Sequence, residues 1–293
     1  MRFDFIGRKK IWFALSGVII LIGFLALIFR GLNFGIEFKG GTLFDIKFAK
    51  LVGVYQVRKE LKAFNLGGST IQPTGKNEVL IRCRSLSSKQ QQKVIKALDE
   101  KFGIRDHSIQ NVGPGWGGHI TRAALIALVL CLCGLLLYIS VRFEFKMAVT
   151  AITALFHDIL IAMGIYALVG RVITPNTVAA LLTILGYSLY DTIVVYHKIM
   201  ENTPRMSKQA YGGMVNDSIN QVLVRSINTS LTTLFPIICL FLIGGETLKD
   251  FAFVLFIGLT SATYSSIFTA SPLLTLWKET EPRYRSLKAK YER

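Results

Sequence analysis

Two acidic residues interrupt apolar stretches of the sequence, where a charge needs a partner or a task. Asp158 lies in FHDILIAMG and Asp191 in GYSLYDTIVVYHKI. A charged side chain near the middle of a membrane span costs about 2.5–3.5 kcal/mol on insertion scales, and such residues commonly pair with one another or relay protons. A carboxyl group suits a relay because it binds or releases a proton as its surroundings change. Asp158 and Asp191 are therefore candidate proton carriers.

Arg225, in INQVLVRSINTSLTTL, is a basic candidate for the same relay. It precedes a later apolar stretch at the depth expected for Asp191, so the two side chains form an ion pair if their helices pack together. The pair has two interpretations: a static pair that fixes helix register, or a carboxylate that exchanges protons as the helices move. Asp158 is equally compatible with hydrogen bonding and with relay work. Its neighbour His157 is expected to face elsewhere and to be structural.

Other reactive chemistries lack their motifs in this sequence. The neighbours Tyr190 and Asp191 resemble one half of an intramembrane aspartyl protease signature, but the second motif, GxGD, is absent. HExxH, GxSxG and Walker A motifs are absent as well. No CxxC, disulfide framework or thiolate metal site is formed by the cysteines, which are Cys83, Cys131, Cys133 and Cys239. We therefore expect a transport or energy-coupling protein with no catalytic residues and no metal, not an enzyme.

Composition and charge place the chain in a membrane. Of its 293 residues 52% are hydrophobic, and the mean hydropathy is +0.46, which is too apolar for an ordinary soluble domain. The net charge of +16 lies largely beside apolar segments, without a nucleic-acid-binding signature. Membrane lipid is therefore an expected partner and nucleic acid is not.

Six apolar stretches are long enough to cross about 30 Å of hydrocarbon. They cover residues 11–29, 123–141, 147–169, 176–197, 227–243 and 251–277. The first stretch is longer than the apolar region of a signal peptide and lacks a cleavage site, so we expect an uncleaved anchor.

Basic residues in the short loops predict the orientation. Sixteen lysines and arginines lie in 1–10, 142–146, 198–225 and after residue 277, against two in the opposite short loops. Both termini of this multi-pass protein are therefore expected in the cytoplasm. The predicted domains are a cytoplasmic N-terminus (1–10), the first transmembrane helix (11–29), an extracytoplasmic α+β domain (30–119), a five-helix transmembrane region (120–277) and a basic cytoplasmic tail (278–293).

The segment between the first two spans has the pattern of a small α+β domain. Strands are predicted at 42–48, 78–83 and 107–112, with a further candidate at 69–72, and helices at 54–66 and 87–103. The order β-α-β-α-β, with the further strand, predicts a ferredoxin-like fold. Such a fold alone gives no function.

Several motifs in this order resemble those of the SecD/SecF family of protein-export membrane proteins, nearly from end to end. NFGIEFKGGTLFDIKF resembles the family's entry into the extracytoplasmic domain, and it contains Gly35, Glu37, Gly40 and Gly41, with glutamate where aspartate is usual. NVGPGWGG resembles the exit from that domain. The stretches quoted above resemble the third-, fourth- and fifth-span motifs, and residues 244–274 resemble the closing span.

The resemblance implies an accessory subunit of the Sec protein translocase that uses the proton motive force to promote late steps of polypeptide export across the bacterial inner membrane. It implies that Asp191 and Arg225 carry the coupling, with the proton gradient as the energy source and no cofactor. Implied partners are a SecD-like subunit with a second set of six spans, the SecYEG channel and the translocating unfolded polypeptide, with YajC and YidC as further candidates. The alternative is a non-coupling structural scaffold that stabilises the translocon.

One departure from the family pattern concerns the cytoplasmic end of the fourth span. The chain has His197-Lys198-Ile199 where the family often has D-R-I. Histidine is the side chain whose charge changes most readily near neutral pH. His197 is thus either a further relay member or an interfacial residue without a role. Coupling to protons or to sodium ions stays open at this stage.

Overall fold

The secondary structure combines long helices with one short mixed region. The computed structural model describes residues 3–75, 77–206 and 209–291. In chain order the elements are α1 (Lys9–Arg30), β1 (Asn33–Phe34), α2 (Ile36–Lys39), β2 (Gly41–Phe48), α3 (Val54–Lys62), β3 (Thr70–Pro73), β4 (Glu78–Cys83), α4 (Ser88–Phe102), β5 (Ile104–Val112), α5 (Pro114–Arg142), α6 (Phe145–Val169), β6 (Val172–Ile173), α7 (Pro175–Asn202), a 3₁₀ turn (Thr203–Arg205), α8 (Tyr211–Ile243), α9 (Glu246–Ser265), a π segment (Ser266–Ala270), α10 (Ser271–Lys278) and α11 (Pro282–Tyr291).

Six helical segments of the described residues are long and apolar enough to cross a membrane, which confirms the predicted polytopic fold. They are α1, α5, α6, α7, α8 and the continuous run from α9 to α10. Half of the apolar stretch of α6 is buried, against 6% of that of α5. α6 is therefore an interior helix, whereas α5 presents most of its surface to its surroundings.

The fifth span begins much earlier than residue 227, where the apolar stretch starts. α8 begins at Tyr211, because the preceding residues already have a helical apolar face. The buried residues of this first half recur at the three- and four-residue intervals of a helix, and they are Tyr211, Met214, Val215, Ser218 and Ile219. A hydropathy average misses this half because its other face is polar.

α1 and α6 cross at a pair of glycines. A Cβ placed on Gly164 would lie 2.5 Å from Gly23 Cα, and one on Gly23 would lie 3.0 Å from Gly164 Cα. Small residues let membrane helices approach closely without a side chain between them. A glycine of the last span has the same effect: Gly258 is buried against Ile184 of α7.

Phe34–Ala127 together with Val172–Pro175 forms a compact mixed unit. Its main sheet has the order β3-β4-β2-β5, and every neighbouring pair is antiparallel. With α3 after β2 and α4 after β4, this is the predicted ferredoxin-like arrangement. The two helices and the sheet share an apolar core that includes Phe44, Ile46, Phe48, Val57, Leu61, Ile81, Val94 and Leu98.

The element boundaries in this unit differ slightly from the sequence prediction. α3 ends at Lys62, and not at residue 66, because Asn65 adopts a left-handed conformation with φ +62°. β5 begins at Ile104, three residues early, because Gly103 at φ +70° turns the chain from α4 directly into the strand. The candidate strand at 69–72 is present as β3.

The other compact unit, called the helical unit, consists of the described residues of 1–33, 128–171 and 176–293. Residues after its last span form α11, which packs against other helices of this unit. Tyr284 is buried, with its ring centroid 4.6 Å from that of Tyr211. Glu279 accepts a hydrogen bond from the Gly212 N–H at 3.2 Å. The predicted basic tail therefore includes a docked helix.

Candidate functional site

Asp158 lies on α6 at the centre of a hydrogen-bonded cluster. Its side chain is fully buried. Oδ1 accepts hydrogen bonds from Ser261 Oγ at 2.6 Å and pairs with His157 Nδ1 at 3.0 Å. Oδ2 accepts from Ser188 Oγ at 2.6 Å and from Ser265 Oγ at 2.7 Å. Both carboxylate oxygens thus have two partners each, contributed by α6, α7 and α9.

This cluster satisfies a buried carboxylate without a lysine or an arginine. Hydroxyl donors at such distances replace the water that a carboxylate loses on burial. Because the donors come from three membrane helices, the same bonds also fix those helices relative to one another. We call the set Asp158, His157, Ser188, Ser261 and Ser265 the Asp158 cluster.

Adjacent positions on a helix suggest that His157 faces away from Asp158, but in the structure the two side chains are in contact. The imidazole ring is oriented so that Nδ1, the ring nitrogen nearer the backbone, contacts the neighbouring carboxylate. The ring stacks on Tyr264, with centroids 6.2 Å apart and planes 17° apart. Nε2 is buried without a hydrogen-bond partner among the described residues. His157 therefore belongs to the cluster.

Asp191 has an environment opposite to that of Asp158. It lies on α7 and is 2% exposed, yet its Oδ2 is buried without a hydrogen-bond partner in the described part of the chain. Ser226 of α8 lies near the Asp191 carboxyl group. The Ser226 Oγ and the Tyr187 OH, like Asp191 Oδ2, have no hydrogen-bond partner in the described part of the chain. Asp191 is also near enough to Asp158 for the two carboxyl groups to interact electrostatically. Both oxygens of the Asp158 carboxyl group therefore have hydrogen-bond partners, whereas Asp191 Oδ2 has none among the described residues.

Arg225 is not paired with Asp191 in this structure. Its side chain is exposed, and the described residues show no ion pair between the two. The next residue, Ser226, is buried, and so is Ser230 one turn later. The depth predicted for Arg225 is compatible with pairing, but at this level of α8 the buried residues are Ser226 and Ser230. A part for Arg225 in a relay stays a prediction.

His197 is exposed near the end of α7, and its ring centroid lies 5.3 Å from that of Phe143. The arrangement does not bring His197 to Asp191 or to Asp158, and its possible relay role also stays a prediction.

The helix geometry beside the cluster is irregular. The π segment starts directly after Ser265, and Ser266 Oγ lies 2.9 Å from Thr192 Oγ1, next to Asp191. Single π turns occur often at functional sites. Sequence reasoning missed Ser188, Ser226 and this segment. The available signal was spacing: Ser188 precedes Asp191 by one helical turn, and Ser261 and Ser265 share a face of α9.

The two glycines at the start of β2 have backbone roles. Gly40 and Gly41 have φ of +75° and +147°, which L side chains rarely adopt. A Cβ on Gly41 would lie 2.4 Å from the carbonyl oxygen of Cys83 on β4. Only glycine fits the close approach of these two strands.

Gly35 and Glu37 lie just before this junction. The Gly35 N–H donates to the carbonyl of Ile173 at 2.8 Å, which joins β1 to β6. A Cβ on Gly35 would lie 2.2 Å from Glu37 Oε2, an oxygen that is buried without a hydrogen-bond partner in the described residues. A functional role for these two residues stays a prediction.

A Gly41→Val substitution is expected to open the β2–β4 pairing and expose Cys83. In the unchanged protein this thiol reacts slowly with maleimide, because burial raises its pKa to about 11 and little thiolate forms at pH 7–8. We expect at least tenfold faster alkylation of Cys83 in the variant, measured on the full chain with Cys131, Cys133 and Cys239 replaced by alanine. Gly68→Ala is the control, since a Cβ there meets open space. Equal rates of Cys83 alkylation in the two variants would show that a side chain at position 41 does not open the β2–β4 pairing.

Family models match most of this chain. Residues 90–280 match the model described as "Protein export membrane protein SecD/SecF, C-terminal", and residues 25–50 match the "SecD/SecF GG Motif". The second match contains the glycines Gly35, Gly40 and Gly41. The first contains Asp158, Asp191 and Arg225.

Curated relatives named "Protein translocase subunit SecF" are similar over nearly the whole chain. The Mycobacterium tuberculosis protein is 41% identical over 94% of this chain and 67% of its own length. The Streptomyces coelicolor protein is 38% identical over 98% of this chain and 79% of its own. The Magnetococcus marinus protein is 39% identical over 94% of this chain and 92% of its own length.

Two solved structures have the same fold. The crystal structure of SecDF from Thermus thermophilus, titled a translocon-associated membrane protein, superposes with a TM-score of 0.87 at 35% identity and covers 95% of this chain. A SecDF structure titled "Super-membrane-facing form" gives a TM-score of 0.71 at 32% identity over 99%. The chain spans 39% and 40% of the length of those two chains.

Proposed function

The chain belongs to the SecF branch of the SecD/SecF family of protein-export membrane proteins, and on this basis we propose that it is an accessory subunit of the Sec protein translocase that uses the proton motive force to promote late steps of polypeptide export. The proton would be carried within the helical unit, and the mixed unit would contact the emerging polypeptide. No cofactor is needed, because the gradient supplies the energy.

The observation that carries this proposal is the contrast between the two buried carboxyl groups. Asp158 has four hydrogen-bonding partners, whereas Asp191 Oδ2 has none among the described residues. A buried carboxyl group that lacks fixed partners can change protonation without breaking a network. Each proton that crosses gains about 2.3 kcal/mol per 100 mV, so repeated uptake at Asp191 can drive helix movement. We assign the proton-carrying role to Asp191, with Asp158 and Arg225 as accompanying members.

The same proposal includes location and partners. Basic short loops support a bacterial inner-membrane protein with both termini in the cytoplasm and the mixed unit on the outer side. The solved SecDF chains are about two and a half times as long as this one, which supports a SecD-like subunit as the immediate partner. SecYEG is proposed as the channel served, with YajC and YidC as further associates.

A second candidate function, a non-coupling scaffold of the translocon, rests on the Asp158 cluster. A carboxylate bound by side chains from three helices stabilises one arrangement of those helices. If Asp191 is also static, the helical unit has no moving proton site and serves assembly alone.

Substitution of Asp191 by asparagine separates the two functions. The change keeps the shape of the side chain and removes its ionisable group. In cells depleted of the native protein, maturation of a secreted substrate is followed with the proton gradient intact and then collapsed. We expect Asp191→Asn to lose at least nine-tenths of the gradient-stimulated export and to retain the rate that the unchanged protein shows without a gradient.

Ser226→Ala is the matched control, because it removes the neighbouring hydroxyl and leaves the carboxyl group. Copurification with the SecD-like subunit establishes that both variants assemble. Full gradient stimulation by assembled Asp191→Asn protein would refute coupling at this residue and leave the scaffold.

A further inference from the structure

An apolar groove lies between residues 3–8, α1, α8 and α9, all within the helical unit. Residues 3–8 are called the N-terminal residues below. Its volume is about 920 Å³, within the range of roughly 300–1,000 Å³ typical of small-molecule sites. Leu223, Ile227, Leu231 and Leu234 of α8 form one wall. Because α1, α8 and α9 are membrane spans, this groove is at the depth of lipid tails.

The N-terminal residues close one end of the groove and are held there by α8. Asn220 Oδ1 accepts a hydrogen bond from the Phe3 N–H at 2.9 Å, and its amide donates to the Phe3 carbonyl, also at 2.9 Å. Asn216 Oδ1 accepts from the Phe5 N–H at 2.8 Å, and its amide donates to the Phe3 carbonyl at 3.0 Å. The end wall is therefore fixed.

Polar groups along the groove are already satisfied by one another. Ser230 Oγ and Thr263 Oγ1 are 2.7 Å apart. Tyr264 donates its hydroxyl to the Trp12 carbonyl at 2.9 Å, and Trp12 Nε1 donates to the Phe5 carbonyl at 3.2 Å. The walls thus offer hydrocarbon contact and require no hydrogen bond from an occupant.

The charge at the closed end comes from Arg8. Its side chain lines the groove and is exposed, and it forms no ion pair in the part of the chain that the structure describes. Asp4, at the same end, accepts a hydrogen bond from the Gly7 N–H at 2.8 Å. Lys9 and Lys10 follow Arg8 directly, so positive charge dominates. Basic residues at a span end attract anionic lipid headgroups.

An apolar groove at the depth of lipid tails, with a free guanidinium at its closed end, matches an amphiphile that has an acyl chain and an anionic head. We propose that this groove is a binding site for an anionic phospholipid, with one acyl chain along α8 and the phosphate on Arg8. Arg8 suits this role because a guanidinium binds phosphate oxygens through two donors at once. Asp191 does not line this groove, so the lipid site can be tested independently of proton coupling.

Trp12 reports on the groove, because it forms part of its lining. Trp116→Phe and Trp277→Phe leave Trp12 as the remaining tryptophan of the chain. The full chain is reconstituted in phosphatidylcholine, and brominated phosphatidylglycerol or brominated phosphatidylcholine is added in steps to quench fluorescence. We expect half-maximal quenching at a fraction of brominated phosphatidylglycerol at least fivefold below that of brominated phosphatidylcholine.

Three variants distinguish a binding site from general attraction of anionic lipid to the basic residues. Arg8→Gln should bring the two quenching curves within twofold of each other, whereas Lys10→Gln, outside the groove lining, should leave their separation intact. Leu231→Phe should reduce maximal quenching by at least half, because the added ring fills the groove. Superimposed curves in the protein with Arg8 would overturn the proposal, since Trp12 would then sense only bulk lipid. Absence of quenching by either lipid would overturn it too, because protein would then cover the groove.

Discussion

An Asp158→Ala substitution is expected to lower the free energy of unfolding by about 3–5 kcal/mol, because several buried donors lose their acceptor. The change removes the shared acceptor of three serine hydroxyls and His157 Nδ1 in a buried site, although Ser265 keeps the Ala262 carbonyl at 3.2 Å as a second acceptor. Each orphaned donor costs about 1–3 kcal/mol, partly recovered by relaxation. Titration of the reconstituted full chain with a denaturing detergent, followed by tryptophan fluorescence and circular dichroism, measures the loss.

Asp158→Asn tests the reason for that loss. The amide keeps one acceptor oxygen and the shape of the side chain, so we expect a smaller effect, about 1–2 kcal/mol. Combined with Ser265→Ala, the alanine variant should show non-additive losses, because residues in one network couple. A stability of Asp158→Ala within about 0.5 kcal/mol of the unchanged protein, the usual range of a surface substitution, would exclude the cluster as a structural centre.

A Gly164→Leu substitution is expected to separate α1 from α6. Even a Cβ at this position would lie 2.5 Å from the Cα of Gly23. Because the obstacle is backbone, no rotamer change relieves it. Overpacking in a dense interior costs typically about 1–3 kcal/mol, and here the helix itself must shift. We expect a loss at or above that range in the same titration, with reduced accumulation in cells.

Gly17→Leu supplies the control for this crossing. Gly17 lies on α1, the helix that Gly164 of α6 contacts, and a Cβ there meets open space. Gly17→Leu makes the same change in side-chain volume and apolar character as Gly164→Leu, but without the clash with the backbone. Equal losses in the two variants would mean that the crossing does not depend on glycine.

The sequence predicts the spans and the mixed unit well because both depend on repeated, local patterns. Apolar stretches locate six helices, although the amphipathic first half of α8 falls below any hydropathy average. In the mixed unit, alternation identifies β2 and β4, and glycines identify the end of α4. Boundaries move by a few residues where a left-handed residue such as Asn65 intervenes.

The candidate site is predictable in part. Asp158 and Asp191 stand out because acids among apolar residues are rare. Which neighbour faces each carboxylate depends on helix rotation, which a sequence without its packing does not specify. Arg225 and Ser226 differ by one position, about 100° around the helix, and the structure buries the serine. The π segment depends on a change in hydrogen-bond register that leaves no mark in composition.

The hydrogen bonds between Phe3 and Asn220 have a consequence for biosynthesis. The two residues are 217 positions apart, so Phe3 leaves the ribosome long before Asn220 and waits for this partner. At about 5–20 residues per second the wait is on the order of 10–40 s, during which α1 through α7 are already made. The N-terminal residues therefore take their final place among the last steps of folding. The groove behind them has no end wall until α8 has inserted.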